Sequence, residues 1–438
     1  MSAPSRRRRP SWRLGWMLPA GLALLAGLDA ALLLLGLPAP VTTARLPLVH
    51  GMLLVLGFVG TLIALERATA LARWYGFLAP GLLGLAGTSL LADPLPLEVG
   101  KTLLVIGTAA FTLVYIPLWR RQHDDAVLVQ LLAAGLACGG ALRWAGGALF
   151  DDVLPWLIGF VVLTIAAERV ELARITLGPS AGLRVLVHAA SIVLALLVGI
   201  WHPEAGAVLL GVALAALAIW LIQHDVARRT VRMPGGPRFM AAAILAGYVW
   251  LAVAAGVLMI GGRPVGMAYD AVAHSILLGY TISMIMAHST TILPAVLRIP
   301  LPYRPALWVP LGLLQLSLVV RLGLGDALQW TPAWQVGGVL GVLALLLFVL
   351  TAVTSAILGP PRVPVSTKPA PTKPAPTKPS ATRSAPSALP RGASTPLPLG
   401  GAGQTSAAAP ARVGGRPAGV VVGVVLVAML GLLLALAL

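Results

Sequence analysis

Residues 334–358 read WQVGGVLGVLALLLFVLTAVTSAIL, a run without a single charged side chain. A helix needs about 20 mostly apolar residues to cross the hydrocarbon core of a bilayer, and this run is long enough by itself. It does not stand alone. Working outward from it, similar stretches occupy 16–37, 47–66, 75–92, 101–119, 126–145, 153–169, 185–201, 205–223, 239–260, 269–292, 306–323 and, beyond it, 419–438. The composition agrees: 58% of the 438 residues are hydrophobic and 10% are charged, with a mean hydropathy of +0.92. An average soluble domain is about a quarter charged, so an ordinary soluble globular protein is excluded. A mainly disordered chain is excluded by the same hydrophobicity. The expected fold class is all-α: a polytopic membrane protein with a twelve-helix core over 1–358. Residues 359–418 form a Pro/Ala/Thr/Lys-rich disordered linker, and 419–438 a tethered thirteenth transmembrane helix. The first apolar stretch is long and shows no small-residue cleavage site, so it is read as a span and not as a signal peptide.

The formal charge is +17, from 31 basic and 14 acidic residues. In a chain this apolar the excess is a topology signal, not a nucleic-acid footprint. With the N-terminus inside, 26 basic residues fall on the inner side and only Arg45, Lys101, Arg143, Arg263 and Arg321 on the outer. The expected setting is therefore the cell's inner (plasma) membrane, with the N-terminus and linker cytoplasmic and the C-terminus outside. The thirteenth helix, which carries Gly419 and Gly423, would pack on the core or on another chain. The one cysteine, Cys138, is placed mid-helix as a packing residue and excludes an internal disulfide, a Cys-ligated zinc site and a Cys-x-x-Cys-His haem attachment.

Three segments repeat a pattern. Gly57-Phe58 is followed by Ile63 and Glu66, Gly159-Phe160 by Ile165 and Glu168, and Gly279-Tyr280 by Ile285 and His288. They fall on spans 2, 6 and 10, four helices apart, which predicts three four-helix units.

Ionisable residues inside a span are costly and usually serve a purpose. His50 on span 2 and His274 on span 10 lie at similar depth near the outer side. Two neutral imidazoles on different helices at one depth suit the two faces of a haem iron. Asp270, one turn before His274, is placed to accept its other ring N–H and fix the tautomer. His288 lies 14 residues after His274 on the same helix face, about 21 Å deeper. With Glu66, Glu168 and His188 it is expected to form an inner polar cluster, for proton handling or helix pairing. His50 and Glu66 fall about 160° apart around an α-helix and so do not share a site. Trp16, Trp74, Tyr75, Trp119, Trp156, Trp201 and Trp308 read as an interfacial aromatic belt.

Twelve helices in three groups of four, with histidines on the second and tenth near the outer side, resemble subunit I of the haem–copper oxidases. The resemblance implies that these helices supply the axial ligands of a low-spin haem, at the positions of His50 and His274. The family's tenth helix carries His-x-His, whereas here Ala273-His274-Ser275-Ile276 has one histidine. A copper-ligand histidine is missing from 153–169, and the seventh helix has only His188. An oxygen-reducing haem–copper centre, and with it terminal oxidase activity, is not expected. The NnrS family of membrane haem and copper proteins, linked to nitric oxide metabolism, is more similar. Its His-Ala-Leu-Thr-x-Gly element resembles His274-Ser275-Ile276-Leu277-Leu278-Gly279, followed by Ser283-Met284. Its N-terminal His-x-His-Glu-Met and Gly-Phe elements resemble His50-Gly51-Met52 and Gly57-Phe58. One histidine and the glutamate are absent here, which counts against a copper site. The resemblance covers residues 10–358 in layout and implies a bis-His haem b protein with an electron-transfer or redox role and a redox partner protein. Two other readings stay open: a small-molecule or proton-coupled transporter using Glu66, Glu168 and His288, and a cofactor-free membrane assembly protein.

Overall fold

The computed structural model describes residues 12–360, all within one compact unit. The expected thirteenth helix and the linker, apart from Gly359 and Pro360, lie outside the described residues. Twelve helices are long and apolar enough to cross a membrane: α1 (Met17–Leu34), α2 (Arg45–Leu71), α3 (Trp74–Leu91), α4 (Leu97–Gln122), α5 (Asp125–Ala145), α6 (Phe150–Leu172), α7 (Ala181–Trp201), α8 (Pro203–His224), α9 (Gly236–Gly261), α10 (Gly266–Leu297), α11 (Pro305–Asp326) and α12 (Thr331–Leu358). No strand occurs among the described residues. Most helices run a few residues past the apolar stretches, because helical hydrogen bonding continues into polar ends where hydropathy has already fallen, whereas α1 stops at Leu34, short of the expected 37. Proline sits in the first turn of α8, α9, α11 and α12, where its missing N–H removes no helical bond. The side chain of Asp124 caps α5 by accepting from the Ala126 N–H at 3.0 Å.

Large apolar side chains project outward from one helix after another, among them Leu18, Leu113, Val187, Ile219, Val249 and Leu350. Water would not tolerate so continuous an apolar girdle; a bilayer covers it. The chain is a multi-pass, all-α membrane protein. Trp74, Trp201 and Trp308 are exposed, as an interfacial belt requires, but Trp156 is not part of that belt. It is buried, with the Arg143 guanidinium 6.0 Å from its ring centroid. Its position at a span end misled because α6 is enclosed by other helices. Cys138 is buried in α5.

Helix α10 packs against both α2 and α6, and Arg67 of α2 reaches Glu168 of α6 at 3.6 Å. The repeated glycines have a common physical role here. Each lies where a neighbouring helix passes close by, tightly at Gly57 and too close for a side chain without movement at Gly159 and Gly279. A Cβ on Gly57 would sit 3.2 Å from Ala23 of α1 and 3.5 Å from Gly87 of α3. One on Gly159 would sit 2.7 Å from Leu136 of α5, and one on Gly279 2.5 Å from Trp250 of α9. All three repeat members thus pack on the helix that precedes them.

The helices are not uniform. α2, α10 and α11 contain π-helical segments at Leu53–Gly60, Ser275–Tyr280 and Val319–Asp326. A π turn accommodates an extra residue and is frequent at functional sites. Inserting one residue removes about 100° from any angle counted along an α-helix. The 160° separation expected for His50 and Glu66, and the shared face expected for His274 and His288, both assume an uninterrupted α-helix. The wide turns lie between the members of each pair.

Candidate functional site

The ends of the helices that carry Arg67, Arg169 and Arg228 are called inner below, and the opposite ends outer. Between α1, α2, α10, α11 and α12 lies an outer chamber of about 390 Å³. Its walls are mostly apolar: Leu24, Leu28, Leu54, Phe58, Phe150 and Leu277. His50, His274, Asp270 and Arg321 line it as well. The two histidines singled out from the sequence therefore face one cavity, from two helices.

Their hydrogen bonds fix their chemistry. Nδ1 of His50 lies 2.9 Å from the Gly27 carbonyl. Nδ1 of His274 lies 3.0 Å from the Asp270 carbonyl and 3.2 Å from its Oδ1. A ring nitrogen facing a carbonyl carries a proton, so each Nδ1–H donates, and in the neutral ring Nε2 is the nitrogen with the lone pair. Among the described residues neither Nε2 has a hydrogen-bond partner. Gly27 supports the arrangement: a Cβ there would meet Leu54 at 2.4 Å, so α1 approaches α2 closely enough to offer its carbonyl.

Asp270 is itself held. Arg321 grips it in a fork, Nε to Oδ2 and Nη2 to Oδ1, each at 2.8 Å, and Trp334 Nε1 lies 3.3 Å from Oδ2. The Arg321 guanidinium is 5.0 Å from the Trp334 ring centroid. Sequence reasoning placed Arg321 among the outer loop charges. It is buried in the π segment of α11. A buried carboxylate demands a cation, and that demand, applied to Asp270, was the available signal.

A smaller inner chamber of about 90 Å³ lies between α2, α6 and α10, lined by Glu66, Glu168, His288 and Ser289. Val59 and Thr281 line both chambers. Arg67 is buried at this end and paired with Glu66, with Glu168 at 3.6 Å and with Glu171 at 3.3 Å. Gln130 of α5 donates to Glu171 at 3.3 Å. Beside this group Arg169 grips Asp225 through bonds of 2.9 and 2.7 Å, and Tyr248 donates to the same carboxylate at 2.6 Å. Asp225 lies just past the end of α8. Burial alone would raise its carboxyl. The Arg169 fork, with the Tyr248 hydroxyl and the Ala227 N–H, outweighs burial and holds it below the ordinary carboxylate range. His288 has no free nitrogen: Nδ1 lies 2.9 Å from the Met284 carbonyl, and Nε2 accepts from Arg169 Nη1 at 3.0 Å.

Of the expected inner cluster, Glu66, Glu168 and His288 line one chamber and His188 does not. Its ring lies 5.5 Å from that of Trp220, between α7 and α8. Depth alone had suggested it, but α7 turns this face toward α8. Arg67 and Arg169, read as inner-loop charges, are buried ion-pair partners.

Residues 13–357 match the family described as Domain of unknown function (DUF8744). The chain belongs to that family. No curated protein matches it. Among the described residues no three His, Cys, Asp or Glu side chains are grouped to hold a metal ion.

Proposed function

We propose that this protein binds one haem b in the outer chamber, with His50 and His274 as axial ligands, and serves electron transfer or redox sensing linked to nitric oxide metabolism, as the resemblance to NnrS implies. One observation carries the reading: two histidines on separate helices line one largely apolar cavity, each with Nδ1 committed to a carbonyl and Nε2 left as a donor. The donor set fits the group. Neutral imidazoles suit iron and apolar walls suit a macrocycle. Asp270 positions the His274 ring, and Arg321 positions Asp270. Held by His50 and His274, a haem would supply one-electron chemistry. A redox partner protein is part of this proposal, as is placement in the cell's inner (plasma) membrane with the N-terminus and linker cytoplasmic and the C-terminus outside.

The test is the absorption spectrum of the purified protein, with haem supplied during expression. A Soret band that is lost in both His50→Ala and His274→Ala is expected. Colourless, haem-free wild-type protein overturns the reading.

A further inference from the structure

The inner chamber holds more carboxylate than its cations neutralise. Glu66, Glu168 and Glu171 surround a single guanidinium, that of Arg67. The neighbouring cation, Arg169, is committed to Asp225 and to His288. Glu171 is a third exposed and also accepts from Gln130, but Glu66 and Glu168 share the same guanidinium in a region walled by apolar helices, and both ionised there leave one negative charge uncompensated, which is strongly unfavourable. Protonating one carboxyl relieves this, and Glu168 is the best placed. Its side chain is the least exposed of the three, and its Oε1 is solvent-inaccessible and accepts no hydrogen bond.

A separate observation concerns hydroxyls. Tyr115 of α4 and Tyr280 of α10 are fully buried, and neither hydroxyl has a partner among the described residues. Tyr115 lies within electrostatic reach of Arg67 and all three glutamates, and Tyr280 within reach of Glu168 and Arg169. Thr164, one turn before Glu168, is also buried with its hydroxyl unpartnered. Helical threonines ordinarily return the hydroxyl to a carbonyl one turn back, as Thr108 and Thr112 do. Buried polar atoms are paired with protein or with ordered water. The chamber, at about 90 Å³, is walled mostly by apolar side chains such as Leu62, Ile63, Ile285 and Leu293, and Glu66, Glu168, His288 and Ser289 are the polar groups that face it.

We infer that the inner chamber is a proton-holding site, with Glu168 as its protonated carboxyl and the Tyr115 and Tyr280 hydroxyls in its electrostatic surroundings. The ligand is a proton. Binding forms one O–H bond on a glutamate oxygen and changes no other covalent bond. The groups facing Glu168 are Glu66 and Arg67 from α2, Tyr115 from α4, Arg169 and Glu171 from its own helix, and Tyr280 and His288 from α10. The shared wall at Val59 and Thr281 sets the held proton beside the outer chamber. The site stands whether or not haem is bound.

Infrared spectra of the full-length protein in lipid nanodiscs at neutral pH test it, with and without ¹³C-glutamate labelling. A protonated-carboxyl band that shifts with the label and in ²H₂O, and that disappears in Glu168→Gln, is expected. A wild-type spectrum with no label-sensitive acid band overturns the proposal, as does a band that survives in Glu168→Gln. If that variant fails to fold, Tyr115→Phe decides: the band shifts when the flanking hydroxyl is removed, and a band indifferent to that change overturns the assignment.

Discussion

Helix α10 carries two histidines, and their surroundings prepare them for opposite tasks. His274 donates from Nδ1 to Asp270 and leaves Nε2 without a partner among the described residues, beside a wide, mostly apolar chamber. His288 also donates from Nδ1 to a backbone carbonyl, but its Nε2 is taken by Arg169. The outer chamber thus holds two unspent nitrogen lone pairs, and the inner one spends its single histidine on an arginine. A histidine in a membrane helix is therefore judged by its second nitrogen, not by its depth. The largest expected effect breaks or upholds this contrast directly. His288→Ala keeps the Soret absorbance that His274→Ala abolishes. Colour lost with His288 and kept without His274 would invert the comparison.

The next effect is on stability, and it belongs to the inner end. Asp225→Asn leaves Arg169 buried without its counter-charge, and breaking one side of a buried pair costs about 3–5 kcal/mol. A large drop in melting temperature is expected, with cofactor stoichiometry unchanged in the fraction that folds. The same pair predicts a pH dependence. Because the folded carboxyl is held below its ordinary range, its contribution is complete above an unfolded value of about 4 and is lost as pH falls through the lowered folded value. Thermal melts in acid show wild type losing stability there relative to Asp225→Asn; parallel curves would remove Asp225 from the account.

Much of the fold was legible in the sequence because hydrophobicity over about 20 residues is a one-dimensional signal. His50, His274 and Asp270 were legible for a related reason: ionisable residues stand out against apolar helices, and depth along a span can be counted. What sequence could not show was rotation. The π segments at Leu53–Gly60 and Ser275–Tyr280 shift the angular register between His50 and Glu66 and between His274 and His288, and nothing in those residues announces an inserted turn. Arginine was misread for another reason. Arg67, Arg169 and Arg321 sit at span ends, where the charge rule counts them as loop residues, yet each is folded inward onto a carboxylate. The rule sees charge and position along the chain, whereas the partner that draws the side chain inward lies on another helix.

A smaller effect sharpens the outer half of the contrast. Asp270→Asn keeps the one-turn backbone contact to His274 but breaks the ionic fork with Arg321. Loss of such a supporting carboxylate typically weakens metal binding about 10–100-fold. Haem retention measured by transfer to an apo-globin acceptor falls by that factor if Asp270 positions the ring. Retention equal to wild type would show that the carbonyl alone suffices.

The smallest effect probes the scaffold that brings the two chambers onto one seam. Gly57 and Gly87 let α2 and α3 approach to near backbone contact, with Ala23 of α1 closing the third side. A methyl at Gly57 meets Ala23 at 3.2 Å and Gly87 at 3.5 Å, so the neighbours must give only by a few tenths of an ångström. Overpacking of this kind costs about 1–3 kcal/mol, and the mild clash places Gly57→Ala near the lower figure. A methyl at Gly279 meets the Trp250 ring at 2.5 Å, where far more must move. The repeat thus makes an ordered prediction: Gly57→Ala lowers the melting temperature slightly and Gly279→Ala clearly more. Equal effects at the two sites would mean that the glycines do not set the helix spacing, and that the three-fold pattern reflects composition alone.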